Sequence, residues 1–191
     1  AYRLDRAGVV WTPDHLEARW PASGSPNIPA NDAAVAIFDR GRERFVSAPG
    51  GGDLTATLEQ YTGDADDRFT LERVGPGLVA FKASNGAYVS AACETDALTP
   101  VAMDIGPRET FRWIERPNGD VVLRSIGGGG HLVRSVTREL AGGLTLEILV
   151  ADADHAGLAE TNYVILDGRT PQSAPSAPAS ATEDTPAPGP F

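Results

Sequence analysis

Few residues in this 191-residue chain have the spacing that chemistry demands. His15, His131 and His155 stand far apart with no ligand spacing between them, so a metal centre built on imidazoles is not expected. Two acidic stretches, Asp64 with Asp66 and Asp67, and Asp152 with Asp154, offer the hard oxygens that calcium takes. Neither carries the acid and glycine pattern of a calcium loop, and both read as solvated turns. Gly127 to Gly130 would cradle a phosphate only ahead of a helix, and the strand-like run from His131 to Ser135 follows instead. Cys93, the single cysteine, has no neighbouring base and no helix terminus to activate it. Glu94 with Asp96, and Glu115 with Asp120, are candidates for paired acid-base work, but no sequence feature converges either pair on a substrate. The expectation is a non-enzyme, with no catalytic residue, no metal and no cofactor.

Binding places a different demand on the residues. A sugar site needs a flat exposed ring with polar groups around it. Tyr61 lies in the polar stretch Gln60-Tyr61-Thr62-Gly63-Asp64, outside any repeated apolar pattern, and with Asp64 and Arg68 it forms the candidate ligand-binding surface. Trp11 and Trp20 come next, with packing of an N-terminal hairpin as their expected role. Phe38, Phe45, Phe69, Phe81, Tyr88, Phe111, Trp113 and Tyr163 recur at repeated strand positions and are expected in the core.

Those repeated positions belong to a pattern written three times: an apolar strand, a turn, a second strand, and later an aromatic-x-aliphatic couplet. The couplets are Phe69-Thr70-Leu71, Phe111-Arg112-Trp113 and Tyr163-Val164-Ile165. From Phe45 to Tyr88 is 43 positions and from Tyr88 to Leu132 is 44; the couplets repeat after 42 and then 52, so the third copy carries an insertion. A unit of this length cannot bury its apolar face alone and must stack on its neighbours. Alternation within each copy is at period two, the signature of half-buried strands. Asn85-Gly86 between two apolar runs predicts a type I′ hairpin turn. Twelve strands in three four-strand units, closed into a short barrel so that no sheet edge is left open, is the implied all-β architecture.

Composition bounds the rest. A formal charge of −10 argues against a nucleic-acid backbone or an anionic membrane surface as partner. No run reaches the roughly 18 apolar residues of a membrane-spanning helix. One cysteine precludes an intrachain disulfide. Residues 1–32 fit none of the copies; Gly8-Val9-Val10-Trp11 and Leu16 to Trp20, around Pro13-Asp14, predict a small hairpin, either an extension of the fold or the end of an upstream domain. Residues 33–169 hold the repeats. Residues 170–191 are Pro, Ala, Ser and Thr with few apolar side chains, and are expected to be a disordered tail or linker.

The second copy, Val79-Ala80-Phe81-Lys82-Ala83-Ser84-Asn85-Gly86-Ala87-Tyr88-Val89-Ser90-Ala91 with Glu109-Thr110-Phe111 closing it, resembles the signature of fascin-like β-trefoil domains, specifically the bacterial single-trefoil type. The likeness covers about residues 33–167 and fades in the third copy, where Leu132 replaces the aromatic. The Gln-x-Trp repeat of ricin-type lectins is absent, so no sugar pocket carries over from that family. The resemblance implies a β-trefoil acting as a monomeric carbohydrate-binding or adhesion module of a secreted bacterial protein, with a glycan or polysaccharide as partner. A protein surface, as in actin bundling, is the alternative partner, and an accessory domain of a larger glycoside hydrolase the third reading.

Overall fold

The computed structural model describes residues 3–4, 10–11, 27–92, 96–127, 129–156 and 159–175. β1 (Arg3–Leu4) and β2 (Val10–Trp11) pair antiparallel, with Arg3 opposite Trp11. The hairpin expected around Pro13-Asp14, with Leu16 to Trp20 as its second strand, falls on positions outside the described residues. The first copy comprises β3 (Ala33–Asp39), β4 (Arg44–Ser47), β5 (Thr55–Leu58) and β7 (Phe69–Gly75), with the short β6 (Gln60–Tyr61) between the last two. The second comprises β8 (Leu78–Lys82), β9 (Tyr88–Ser90), β10 (Thr99–Ala102) and β11 (Phe111–Glu115). The third comprises β12 (Val121–Ser125), β13 (Leu132–Glu139), β14 (Thr145–Ala153) and β15 (Tyr163–Asp167).

The outer strands of each copy close a ring, β3–β7–β8–β11–β12–β15 and back to β3, with every neighbour antiparallel. The inner strands of each copy form hairpins that fold over one end of this barrel. The chain is a β-trefoil, and its pseudo-symmetry holds at the level of single residues. Val35 faces Phe69, Val79 faces Phe111 and Val121 faces Tyr163 at equivalent ladder positions, and all six are buried. The couplet repeats because each aromatic fills the same third of one core. On the pseudo-threefold axis, the amide of Leu54 donates to the carbonyl of Leu98 at 2.8 Å, Leu98 to Leu149 at 2.7 Å, and Leu149 back to Leu54 at 3.0 Å. This cyclic trio satisfies buried backbone that no ladder reaches. The space beneath it is only about 10 Å³, so the barrel axis is packed and holds no ligand cavity.

The turns between copies interlock cyclically. A Cβ on Gly127, in the third copy's first turn, would lie 2.6 Å from the backbone of Pro107 and Arg108 in the second. A Cβ on Gly41, in the first copy, would lie 2.6 Å from the backbone at Glu160 in the third. The expected type I′ turn at Asn85-Gly86 is not formed. Gly86 alone is left-handed, at φ 81°, and its amide donates to Ala83 O at 3.0 Å. Asn85 keeps a negative φ because its side chain accepts from the Ala87 amide at 2.9 Å and donates to Pro100 O at 3.1 Å. The loop is the longer hairpin kind with a left-handed glycine at its exit.

Packing crosses both expected boundaries of the repeat region. Ile28 is buried in the barrel core, and Arg73 holds that segment by donating to Pro29 O at 2.9 Å and to Ile28 O. At the other end, β16 (Gln172–Ser173) pairs with β6, and Arg40 Nη1 donates to Pro175 O at 3.2 Å. The segment expected to be disordered from residue 170 is thus anchored through 175. It can dock because β6 offers an unpaired edge and backbone hydrogen bonds need no apolar side chains. The insertion in the third copy lengthens β13 and β14 into an arm whose tip exposes Leu140 (44%) and Leu144 (67%).

Candidate functional site

The structure separates the expected surface of Tyr61, Asp64 and Arg68. Asp64 and Arg68 are exposed, but the Tyr61 ring is 1% exposed and cannot stack on a sugar. It sits in a satellite core with Ala36, Phe38 and Phe45, 5.8 Å from the Phe45 ring, and its hydroxyl donates to Gly168 O at 2.6 Å. Burial pushes its phenol above the ordinary value, with the nearby Asp67 charge adding to it. No local period announces this, because the partner of β6 lies over a hundred residues later. Asp67 is also buried and accepts from the Thr62 amide and hydroxyl at 3.1 and 3.0 Å. Asp152 is taken by Arg134 at 2.6 and 2.8 Å, and Asp154 meets His131 at 3.0 Å. Trp20 and Cys93 lie outside the described residues, and of Trp11 only the backbone is described.

Every aromatic side chain described is buried: Phe38, Phe45, Tyr61, Phe69, Phe81, Tyr88, Phe111, Trp113 and Tyr163. Recognition on the described surface must therefore work through hydrogen bonds and aliphatic contact.

One junction on that surface departs from the pseudo-symmetry. The residue preceding each member of the leucine trio is Asp53, Ala97 and Ile148. In the third copy Ile148 pairs with Thr55, and Ala97 bridges to Val150; both are buried among Val136 and Leu146. At the remaining junction Asp53 faces Thr99, and the apolar contact is replaced by a hydrogen bond from Thr99 Oγ1 to Asp53 Oδ1 at 2.9 Å. Asp53 Oδ2 lies 3.7 Å from Arg138 Nη1, which reaches in from the arm, and the two side chains are 44% and 40% exposed. Asp53, Thr99 and Arg138 line an open groove of about 330 Å³, with Ser90 and Asp96 adding polar groups and Val101 an exposed aliphatic wall. A carboxylate beside a guanidinium in a concave site can accept and donate at once.

Sequence reasoning passes over Asp53, although the signal is legible once Asp53-Leu54-Thr55 is set against Ala97-Leu98-Thr99 at the 44-residue period. A charge stands where its repeat has alanine. Arg138 had no such signal, since it comes from the insertion. Asp96, considered above for acid-base work with Glu94, lies on the groove; Glu94 is outside the described residues.

No family model matches the chain, and no curated protein matches it. Among solved structures it is similar to the crystal structure of a designed threefold-symmetric protein, ThreeFoil. The TM-score is 0.59 at 13% identity, covering 70% of this chain and 98% of that one. At that identity the likeness speaks for the fold, and the chain is an all-β protein with a threefold trefoil core.

Proposed function

We propose that this chain is a non-catalytic carbohydrate-binding or adhesion module, with the groove at Asp53 as its ligand site. The observation that carries the reading is the substitution of a partly exposed, oriented carboxylate for an apolar contact at one of three equivalent junctions, on the wall of a surface groove. A charged residue that stands where its symmetric counterparts pack apolar side chains is a candidate for binding. The trefoil fold is compatible with this role and does not by itself assign it. The resemblance of the second copy to fascin-like domains of bacterial secreted proteins supports reading the module as extracellular, with a polysaccharide or cell surface as partner. Its charge of −10 disfavours nucleic acid and anionic lipid as partners.

A glycan and polysaccharide binding screen tests this on wild type, Asp53→Ala and Tyr61→Phe, with circular dichroism confirming the fold. Saturable binding that Asp53→Ala loses and Tyr61→Phe keeps supports the site. Absence of binding by folded wild type across the panel, or binding untouched by Asp53→Ala, overturns it. A second reading, a protein-binding scaffold, is favoured by the arm with Leu140 and Leu144 at its tip. It predicts a saturable protein partner lost on Leu144→Glu, and no glycan binding.

A further inference from the structure

We infer that the buried carboxyl of Asp39 is a proton-operated latch at the seam between the first and third copies: protonated, it holds the turn after β3 against the root of the arm, and ionised, it lets that contact open. Asp39 ends β3 and lies opposite Tyr163 of β15, where the first copy meets the last. Phe38 faces Phe45 as Lys82 faces Tyr88 and Arg124 faces Leu132, so Asp39 stands where the other copies have Ala83 and Ser125. By the same count Ser135 on β13 stands where they have Ala48 and Ala91. All six positions are buried, and only this seam sets an ionisable group at one of them, beside the Ser135 hydroxyl.

Asp39 Oδ1 accepts from the amides of Gly41 and Arg42 at 2.8 and 3.1 Å, which fixes the turn. That turn grips the arm through Asp39 at Ser135 and through Arg42, whose Nε lies 2.9 Å from Glu147 Oε2; the other Glu147 oxygen accepts from Thr137 at 2.7 Å. Asp39 Oδ2 and the Ser135 hydroxyl are buried without hydrogen-bond partners. A proton on Oδ2 gives the serine oxygen a donor and satisfies both groups. A serine hydroxyl can also donate to a carboxylate, so the choice of state falls to desolvation of the charge. The charged neighbours do not offset that cost. Arg42 is shared with Glu147, and Glu160, on the turn Ala159–Thr161 packed against Gly41, is a second carboxylate. Arg44, opposite Asp39 on β4, turns to Glu59 at 3.3 Å, Arg40 to Asp120 at 3.1 Å and Arg134 to Asp152 at 2.6 Å. The Tyr163 phenol is held well above its ordinary pKa by burial, with Asp39 and Glu160 adding to it, and stays neutral. Burial thus raises the Asp39 pKa, and the latch is closed in acid. Opening frees the root of the arm that bears Leu140 and Leu144, so presentation of its tip follows pH.

The test follows the Asp39 carboxyl by NMR across the acid and neutral range, together with hydrogen exchange of the Arg40, Gly41 and Arg42 amides corrected for their intrinsic rates. It is run on wild type, Asp39→Asn and Ser135→Ala, with the amides of Leu54, Leu98 and Leu149 reporting the core. Asp39 is expected to titrate above its unfolded value of 3.8. Between 3.8 and that midpoint, protection of the three turn amides falls by up to about tenfold per pH unit, the linkage of one proton, and it is level above the midpoint. The leucine amides stay more protected at every pH, which marks a local opening. Asp39→Asn keeps a neutral side chain and removes the slope. Ser135→Ala moves the midpoint higher, because Ser135 opposes the effect of burial. Titration of Asp39 at or below 3.8, turn amides that exchange only with the leucine trio, or a slope retained in Asp39→Asn overturns the latch. If Asp39→Asn fails to fold, Ser135→Ala decides: an unmoved or lowered midpoint overturns it.

Discussion

Replacing Tyr61 by Phe separates a structural tyrosine from a binding one. The ring is fully enclosed beside Phe45 and Phe38, so Phe fills the same volume and opens no cavity. What is lost is the 2.6 Å hydrogen bond to Gly168 O, and the carbonyl left behind is held in place because the Gly168 amide donates to Ala34 O at 2.9 Å. A typical net bond contributes about 0.5–1.5 kcal/mol, and leaving a buried acceptor unpaired costs about 1–3 kcal/mol. The expected destabilisation is about 1–3 kcal/mol, which in a domain of this size lowers Tm by roughly 2–12 °C. Tyr61→Ala, which also removes the ring, should cost about 3–5 kcal/mol. Urea unfolding followed by circular dichroism measures both. The pH profile adds a check. Burial raises the folded-state phenol above 10.0, so its contribution is complete below pH 10.0 and is lost as pH rises through the folded value. Tyr61→Phe should therefore narrow its deficit in alkali. A Phe variant as stable as wild type, or a Tyr61→Ala variant that loses ligand binding at unchanged stability, would refute the argument and return Tyr61 to the surface.

Gly127→Ala should destabilise by about 1–3 kcal/mol or more in thermal unfolding, because the new methyl meets rigid backbone of Pro107 and Arg108 at 2.6 Å; a neutral result would mean the turn yields. Asp39 is fully buried, and its Oδ2 and the Ser135 hydroxyl beside it lack hydrogen-bond partners. Burial raises its pKa, the nearby Ser135 and the amides of Arg42 and Gly41 opposing, so its contribution is full below the unfolded value of 3.8 and is lost as pH rises through the folded value. Asp39→Asn should accordingly be more stable than wild type at pH 7, with the gap closing in acid; a pH-independent gap contradicts this. Deleting residues 171–191 should cost roughly 1–3 kcal/mol through loss of the β16 pairing and the Arg40 contact, and deleting only 176–191 should leave the unfolding midpoint unchanged. Equal effects of the two deletions would mean β16 contributes nothing.

Much of the fold was legible because a repeat imposes the same local demand three times. Phe69, Phe111 and Tyr163 announce one core position, and the 52-residue step to Tyr163 announces the longer third copy. The candidate site was far less legible. Tyr61 passes for a surface residue because the side chains that enclose it, among them Phe38, Phe45 and Val164, come from other strands, and its hydroxyl's acceptor, Gly168 O, lies 107 residues on. Asp53 passes for a loop residue because its meaning lies in a contrast with Ala97 and Ile148.

By itself the sequence determined the all-β class, the threefold repeat and the aromatic core, since period-two alternation and couplet spacing depend only on which residues share a strand face. It also determined the charge that disfavours polyanionic partners. Tertiary structure alone decided which junction stays open. The leucine trio around the axis brings residues 44 and 51 positions apart into hydrogen-bond contact, and the arm carries Arg138 to Asp53 from another copy. Such juxtapositions are set by barrel closure and hairpin length, and no local pattern encodes them.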